Sequence, residues 1–163
     1  MYLYTMADKI TPIKRSKELA PLSHDHHEGL MLVWKIRKGL KHGVATERIV
    51  AYCRWYWQYH LAGHFQREEE LLPLAMPSNH PLFCQMMEEQ DIIKRRVKSL
   101  PDDAVQPLEL LAQSLNDHIR FEERKLFNEV EKLGTPEQLQ KIAEGLNKED
   151  ACPDWQDKFW ATT

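Results

Sequence analysis

Long apolar runs are missing from this chain. Nowhere do the ~18–20 consecutive apolar residues that span a bilayer occur, so a soluble protein without a membrane partner is expected. The stretch Met1–Lys9 lacks the basic start and apolar core of a secretory signal, which points to the cytoplasm. Cysteine is scarce: Cys53, Cys84 and Cys152 are odd in number, widely spaced and free of any Cys-x-x-Cys, so the pattern suggests neither a disulfide framework nor a thiolate metal site. Positive charge is not in excess either. With a net charge of −3, and Lys94-Arg95-Arg96 too short for a binding stripe, nucleic acid is not expected as a partner. Glycine-rich phosphate loops, strand-period segments and low-complexity tracts are all absent, leaving an all-α class.

At 163 residues the chain is most simply one domain, 1–163, with a helical bundle over about 22–133 and a C-terminal helix and tail over 135–163. Residues 1–15 have no periodicity and read as an extended lead-in. A first helix starts around Pro21–Ser23, through His24-Asp25-His26-His27, and ends near Gly43. Thr46 can cap a second, whose stripe Ile49, Val50, Cys53, Trp57, His60, Leu61, His64, Glu68 and Leu71 advances by threes and fours. Pro73 and Pro77 break it. A third starts near Pro81 and turns inward Phe83, Met86 or Met87, Gln90, Ile93, Val97 and Leu100. A fourth carries Leu108, Leu111, Leu115, His118, Glu122, Leu126, Val130 and Leu133. Thr135-Pro136 opens a short fifth helix to about Lys148, and the aromatic tail Trp155 to Trp160 is expected to fold back on the bundle.

Two of these helices share one string: His64-Phe65-Gln66-Arg67-Glu68-Glu69 and His118-Ile119-Arg120-Phe121-Glu122-Glu123 both read His-x-x-x-Glu-Glu. Four residues apart, the imidazole and the first carboxylate project from one helix face. That face is otherwise apolar, and burying such groups costs several kcal/mol unless something satisfies them. A metal ion would. Counting from the turns of an up-down four-helix bundle puts His64/Glu68, Gln90, His118/Glu122 and the His24–His27 cluster at one level, to within about a turn. Imidazole plus carboxylate without thiolate suits iron, manganese or zinc, and two facing carboxylates can bridge a pair of ions. Neither Glu-x-x-His nor His-Glu-x-x-His occurs.

With Asp25-His26-His27 and both His-x-x-x-Glu-Glu strings, residues 22–127 resemble a hemerythrin-like (HHE cation-binding) domain. The resemblance implies a four-helix bundle around a non-haem di-iron centre, Glu68 and Glu122 bridging and His64 and His118 as terminal ligands. One histidine of the first helix should join them. His27 is placed first, with Leu30 and Met31 at +3 and +4; His26 has the apolar stripe and Asp25 before it; His24 is a further candidate. His60, one turn before His64, is core, a group that supports a ligand, or itself a ligand. The third helix departs from the family pattern, presenting Gln90 where a histidine ligand is expected. Glu69, Glu70 and Glu123 read as solvated groups or as groups that orient histidine rings, and the run Trp55-Tyr56-Trp57 as packing, with Tyr56 or Trp57 alternatively lining a small-ligand pocket. The implied function is binding or sensing of a small diatomic ligand, oxygen or nitric oxide, or of iron or redox state. The alternatives are a di-iron enzyme that consumes such a molecule and a metal-free interaction module.

Overall fold

The computed structural model describes residues 14–147 and 151–161. The expected lead-in over residues 1–15 lies outside that range except for Lys14 and Arg15, as does the expected helix end at Lys148. Among the described residues every regular element is helical: α1 (Ala20–Lys41), α2 (Thr46–Tyr56), α3 (Ala62–Leu71), α4 (Pro81–Lys98), α5 (Val105–Phe121), α6 (Phe127–Leu133) and α7 (Pro136–Leu146).

Local chemistry explains the ends. Pro21 sits in the first turn of α1, where a missing N–H costs nothing. The helix stops at Gly43, whose φ of +66° is open to glycine at little cost, and the N–H groups of Gly43 and Val44 reach back to Leu40 and Gly39 carbonyls. His80 caps α4, its Nδ1 accepting from the Leu82 N–H at 3.1 Å. Arg95, Arg96 and Lys98 occupy the last turn of α4, where a cation meets the negative end of the helix dipole. Thr135 and Gln138 form a reciprocal capping box on α7. Thr46 is not a cap: Ala45 holds that position, and the Thr46 hydroxyl donates instead to the Asp102 carbonyl at 2.8 Å.

Two long rods each contain a π-helical turn. Trp57–Leu61 joins α2 to α3, the Ala62 N–H donating to the Trp57 carbonyl, and Glu122–Leu126 joins α5 to α6, with Phe127 donating to Glu122. A π turn takes one extra residue, so residues before it are rotated relative to those after it. This is why His60 is exposed although regular α-helical spacing would keep it on the face of His64.

Helix α1 packs chiefly on α5, and α5 also on α4; α3 meets α4 and α7. Gly29 permits the close α1–α5 approach, since a Cβ there would lie 2.8 Å from Ile119 Cδ1. The tail folds back as expected. Phe159 is buried, with Trp155 and Trp160 packed beside it on Tyr52, and Arg48 holds Asp157 through two bonds of 2.8 and 2.6 Å.

The buried apolar residues form two clusters. One contains Leu32, Val33, Phe65, Ile93 and Leu115, the other Leu22, Leu72, Met86, Leu126 and Phe127. Along every rod the passage from one cluster to the other crosses a polar residue: His26 on α1, His64 and Glu68 on α3, Gln90 on α4, His118 and Glu122 at the α5–π junction. These six are the buried polar side chains among the described residues, so the interior is two apolar halves around one polar layer.

Candidate metal centre

The layer is built from one imidazole on each of three rods. His26 on α1 is 3 % exposed, His64 on α3 4 % and His118 on α5 1 %. Burial at that depth requires that both ring nitrogens be accounted for. Each ring turns Nδ1 to a carboxylate on a neighbouring rod: His26 to Glu123 Oε1 at 2.7 Å, His64 to Asp25 Oδ2 at 3.0 Å, His118 to Glu89 Oε1 at 3.0 Å. A carboxylate at Nδ1 keeps a proton there and leaves the Nε2 lone pair of a neutral ring facing inward. Ring orientation is fixed further by packing, since His26 stacks on Phe127 at 5.1 Å and an interplanar angle of 5°, and Phe65 meets His118 edge-on at 5.4 Å.

The three Nε2 atoms converge on two carboxylates that are 0 % exposed, Glu68 and Glu122. His64 Nε2 is 2.9 Å from Glu68 Oε1, His26 Nε2 is 3.3 Å from Glu122 Oε2, and His118 Nε2 touches Glu122 Oε1. Yet none of the three Nε2 atoms, neither Glu122 oxygen and not Glu68 Oε2 has a partner in hydrogen-bond geometry. Ligand atoms of His26, His64, Glu68 and Glu122 all lie within 4.8 Å of one another. Gln90, 2 % exposed, completes the layer from α4: its amide Nε2 donates to Glu68 Oε1 at 3.1 Å, and its Oε1 is left without a partner.

Charge in the layer is strongly interdependent. Burial, and then the charge of Glu122, raise the Glu68 carboxyl well above its ordinary range. Burial acts on Glu122 the same way, but the charge of His118 and the nearness of Glu68, His118 and His26 outweigh it and hold Glu122 well below. For His118 burial opposes the charged ring, while Glu122, Glu89 and Glu68 overcome it and lift the value to about 10. His26 is raised against its burial by Glu122 and Glu123. Glu122 thus draws positive charge into the interior, as a proton on imidazole or as a cation in its place.

His64, Glu68, His118, Glu122 and Gln90 stand where the level argument put them. On α1 the expected order is corrected. His27 and His24 are both exposed, and the inward ring is His26, because α1 buries the stripe Leu22, His26, Gly29, Val33 and Ile36 against α5. His60 is corrected too, being neither core nor part of the layer. Of the acidic neighbours only Glu123 orients a ring; Glu69 and Glu70 are exposed. The reading of the sequence missed Asp25 and Glu89 as ring partners. A signal existed: Asp25, Glu89 and Glu123 each adjoin an inward residue, His26, Gln90 and Glu122, and a step of one along a helix swings a side chain by about 100° toward the next rod.

A cavity of about 200 Å³ reaches this layer from the surface, lined by His26, His64 and His118 within and by Glu28, Tyr56, Tyr59 and His60 toward solvent. Of Tyr56 and Trp57, Tyr56 is the one that lines it. None of the helices described is long and apolar enough to cross a membrane. Compared with protein-family models, curated proteins and solved structures, the chain matches none.

Proposed function

We propose that this protein is a hemerythrin-like, non-haem iron-binding bundle whose centre binds or senses a small diatomic ligand, oxygen or nitric oxide, or responds to iron or redox state. The observation that carries the reading is the set of buried, partnerless atoms: three imidazole Nε2 and three carboxylate oxygens converge in one layer, and behind each ring stands a carboxylate. Buried polar atoms are nearly always satisfied, and metal ions held in the layer would satisfy these.

In this reading His26, His64 and His118, together with the carboxylates of Glu68 and Glu122, would hold the metal. Nitrogen and carboxylate donors without thiolate fit iron, and would also accept manganese or zinc. When bound, iron supplies an open coordination position suited to a small diatomic molecule. The chain's own residues do the rest: Asp25, Glu89 and Glu123 keep each Nε2 turned inward, Phe65 and Phe127 fix the rings, and the cavity admits a small molecule past Tyr56 and His60. The order of the two apolar clusters reverses from α1 to α2–α3, again to α4 and again to α5–α6, which supports an up-down four-helix arrangement. The three free cysteines suit a reducing, cytoplasmic setting.

Anaerobic reconstitution of the folded protein with ferrous iron, followed by metal analysis, tests the reading. Two irons per chain and, after oxidation, the near-ultraviolet and visible charge-transfer absorption of a ferric pair are expected. A folded protein that retains no iron would sink it. Gln90 favours a second reading, since an amide in place of an ionic ligand leaves a position less tightly held; there the centre would turn over oxygen, peroxide or nitric oxide. Sustained consumption of one of these with a reductant, in place of stoichiometric binding, separates the two.

A further inference from the structure

The cavity that reaches the polar layer has a second pair of metal-binding side chains at its mouth. His60 is exposed on the π turn between α2 and α3, and Cys152 is exposed on the returning tail; His60 Nε2 and Cys152 Sγ are 3.3 Å apart. Packing holds each of them there. The His60 ring meets Trp55 edge-on at 5.1 Å and Tyr56 at 5.0 Å, while Trp155, Phe159 and Trp160 fasten the tail to Tyr52. The same ring lines the cavity in which His26, His64 and His118 present partnerless Nε2 atoms.

We propose that His60 and Cys152 are the outer ligand pair of a metal-loading route, taking a divalent cation of the iron, cobalt or zinc class at the cavity mouth and releasing it to the inner layer. Geometry supports a shared ion. A tetrahedral ion with bonds of about 2.3 Å to sulfur and 2.0 Å to nitrogen separates those atoms by about 3.5 Å, close to what is found. Ligand chemistry supports the direction of transfer. Two side chains hold a cation loosely, whereas the interior offers imidazole and carboxylate donors of His26, His64, Glu68 and Glu122 within 4.8 Å of one another. Glu28, which lines both this cavity and the adjoining hollow under Trp155 and Trp160, adds negative charge beside the pair. Binding replaces the thiol proton with the metal and releases that proton to solvent; no electron moves. Sulfur and imidazole also contact each other without metal, and Cys152 Sγ donates weakly to the Pro153 carbonyl at 3.4 Å, so the pair is not strained when empty.

The destination of the ion rests on the metal-centre reading above; the outer pair does not. Cobalt(II) separates them. Mixed anaerobically with the reduced, metal-free full-length protein in a stopped-flow spectrometer, it should give a thiolate-to-cobalt charge-transfer band that rises first and decays as ligand-field bands of a nitrogen and oxygen site grow in. In Cys152→Ser the first band should be lost, and both Cys152→Ser and His60→Ala should fill the inner site several-fold more slowly to the wild-type stoichiometry. Cys84→Ser, at the other exposed cysteine, should keep the band. Wild-type filling rates in both variants, with no thiolate band in the parent, overturn the proposal. A thiolate band that persists while no inner site fills overturns the loading route and, separately, the metal-centre reading. Both altered side chains are exposed, and circular dichroism establishes that the variants fold.

Discussion

His118 Nδ1 on α5 lies 3.0 Å from Glu89 Oε1 on α4, so the ring that faces Glu122 is aimed by a side chain from a different rod. The same division of labour holds for His64 with Asp25 and His26 with Glu123. Glu89, Asp25 and Glu123 contribute orientation and basicity while staying out of the layer itself.

Changing an orienting carboxylate should therefore weaken metal binding without removing a ligand. Glu89→Ala is expected to lower metal affinity by roughly 10–100-fold while the stoichiometry at saturating metal is retained. Competition with a chelator of known affinity reads this directly, and an affinity within twofold of the parent would show that Glu89 has no such role.

On α1 a single imidazole is aimed inward. His26→Ala should reduce the metal bound per chain, whereas His27→Ala and His24→Ala, both at exposed positions, should bind as the parent does. Metal content after gel filtration decides between them.

The proposed metal centre implies donors arranged for a cation and not for the stability of the metal-free chain. Gln90 and Glu68 satisfy one another only partly, each keeping an oxygen without a partner. Replacing both by leucine should leave the metal-free protein as stable or more so, by up to about 1–4 kcal/mol, because well-packed apolar groups commonly outdo a buried polar set. The same double variant should lose the stabilisation that metal confers, which is about 2.7 kcal/mol at a hundredfold excess over Kd. Urea melts with metal and with chelator give both numbers, and a metal-free variant destabilised by several kcal/mol would contradict this account.

Stability of the metal-free chain should fall with rising pH across the alkaline range. His118 and His26 are both raised from 6.5, so their contribution is full below pH 6.5 and is lost as pH climbs, for His118 through about 10. Glu122 acts in the other direction: held low, it contributes above its ordinary 4.5, and acidification removes that contribution. Glu68, held high, also lowers stability as pH rises above its ordinary 4.5, because the unfolded chain gives up a proton that the native carboxyl retains. Metal should reverse the trend over neutral pH, since ligand deprotonation favours binding. Urea midpoints at pH 6, 8 and 10, with and without metal, test both slopes, and a metal-free midpoint that rises toward pH 10 would refute the assignment.

Much of this arrangement is written along the chain. The four-residue spacing of His64 with Glu68 and of His118 with Glu122 is a local property of a helix, and so is the inward place of Gln90 among Phe83, Met86, Ile93 and Val97. Prolines, caps and Gly43 set the helix ends for equally local reasons. Sequence alone therefore determined the helical class and five of the six members of the polar layer. The sixth was decided by tertiary packing: neighbouring histidines on α1 differ by about 100° in direction, and only the docking of Gly29 against Ile119 settles that His26 points inward. Packing likewise removed His60 from the inner face through a π turn that no spacing rule announces, and brought Cys152 to it across 92 residues. The ring partners Asp25, Glu89 and Glu123 lie 39, 29 and 97 residues from the histidines they hold. Pairings over such distances arise only when the rods associate, because the energy that fixes them is the burial shared between helices and not any preference within one.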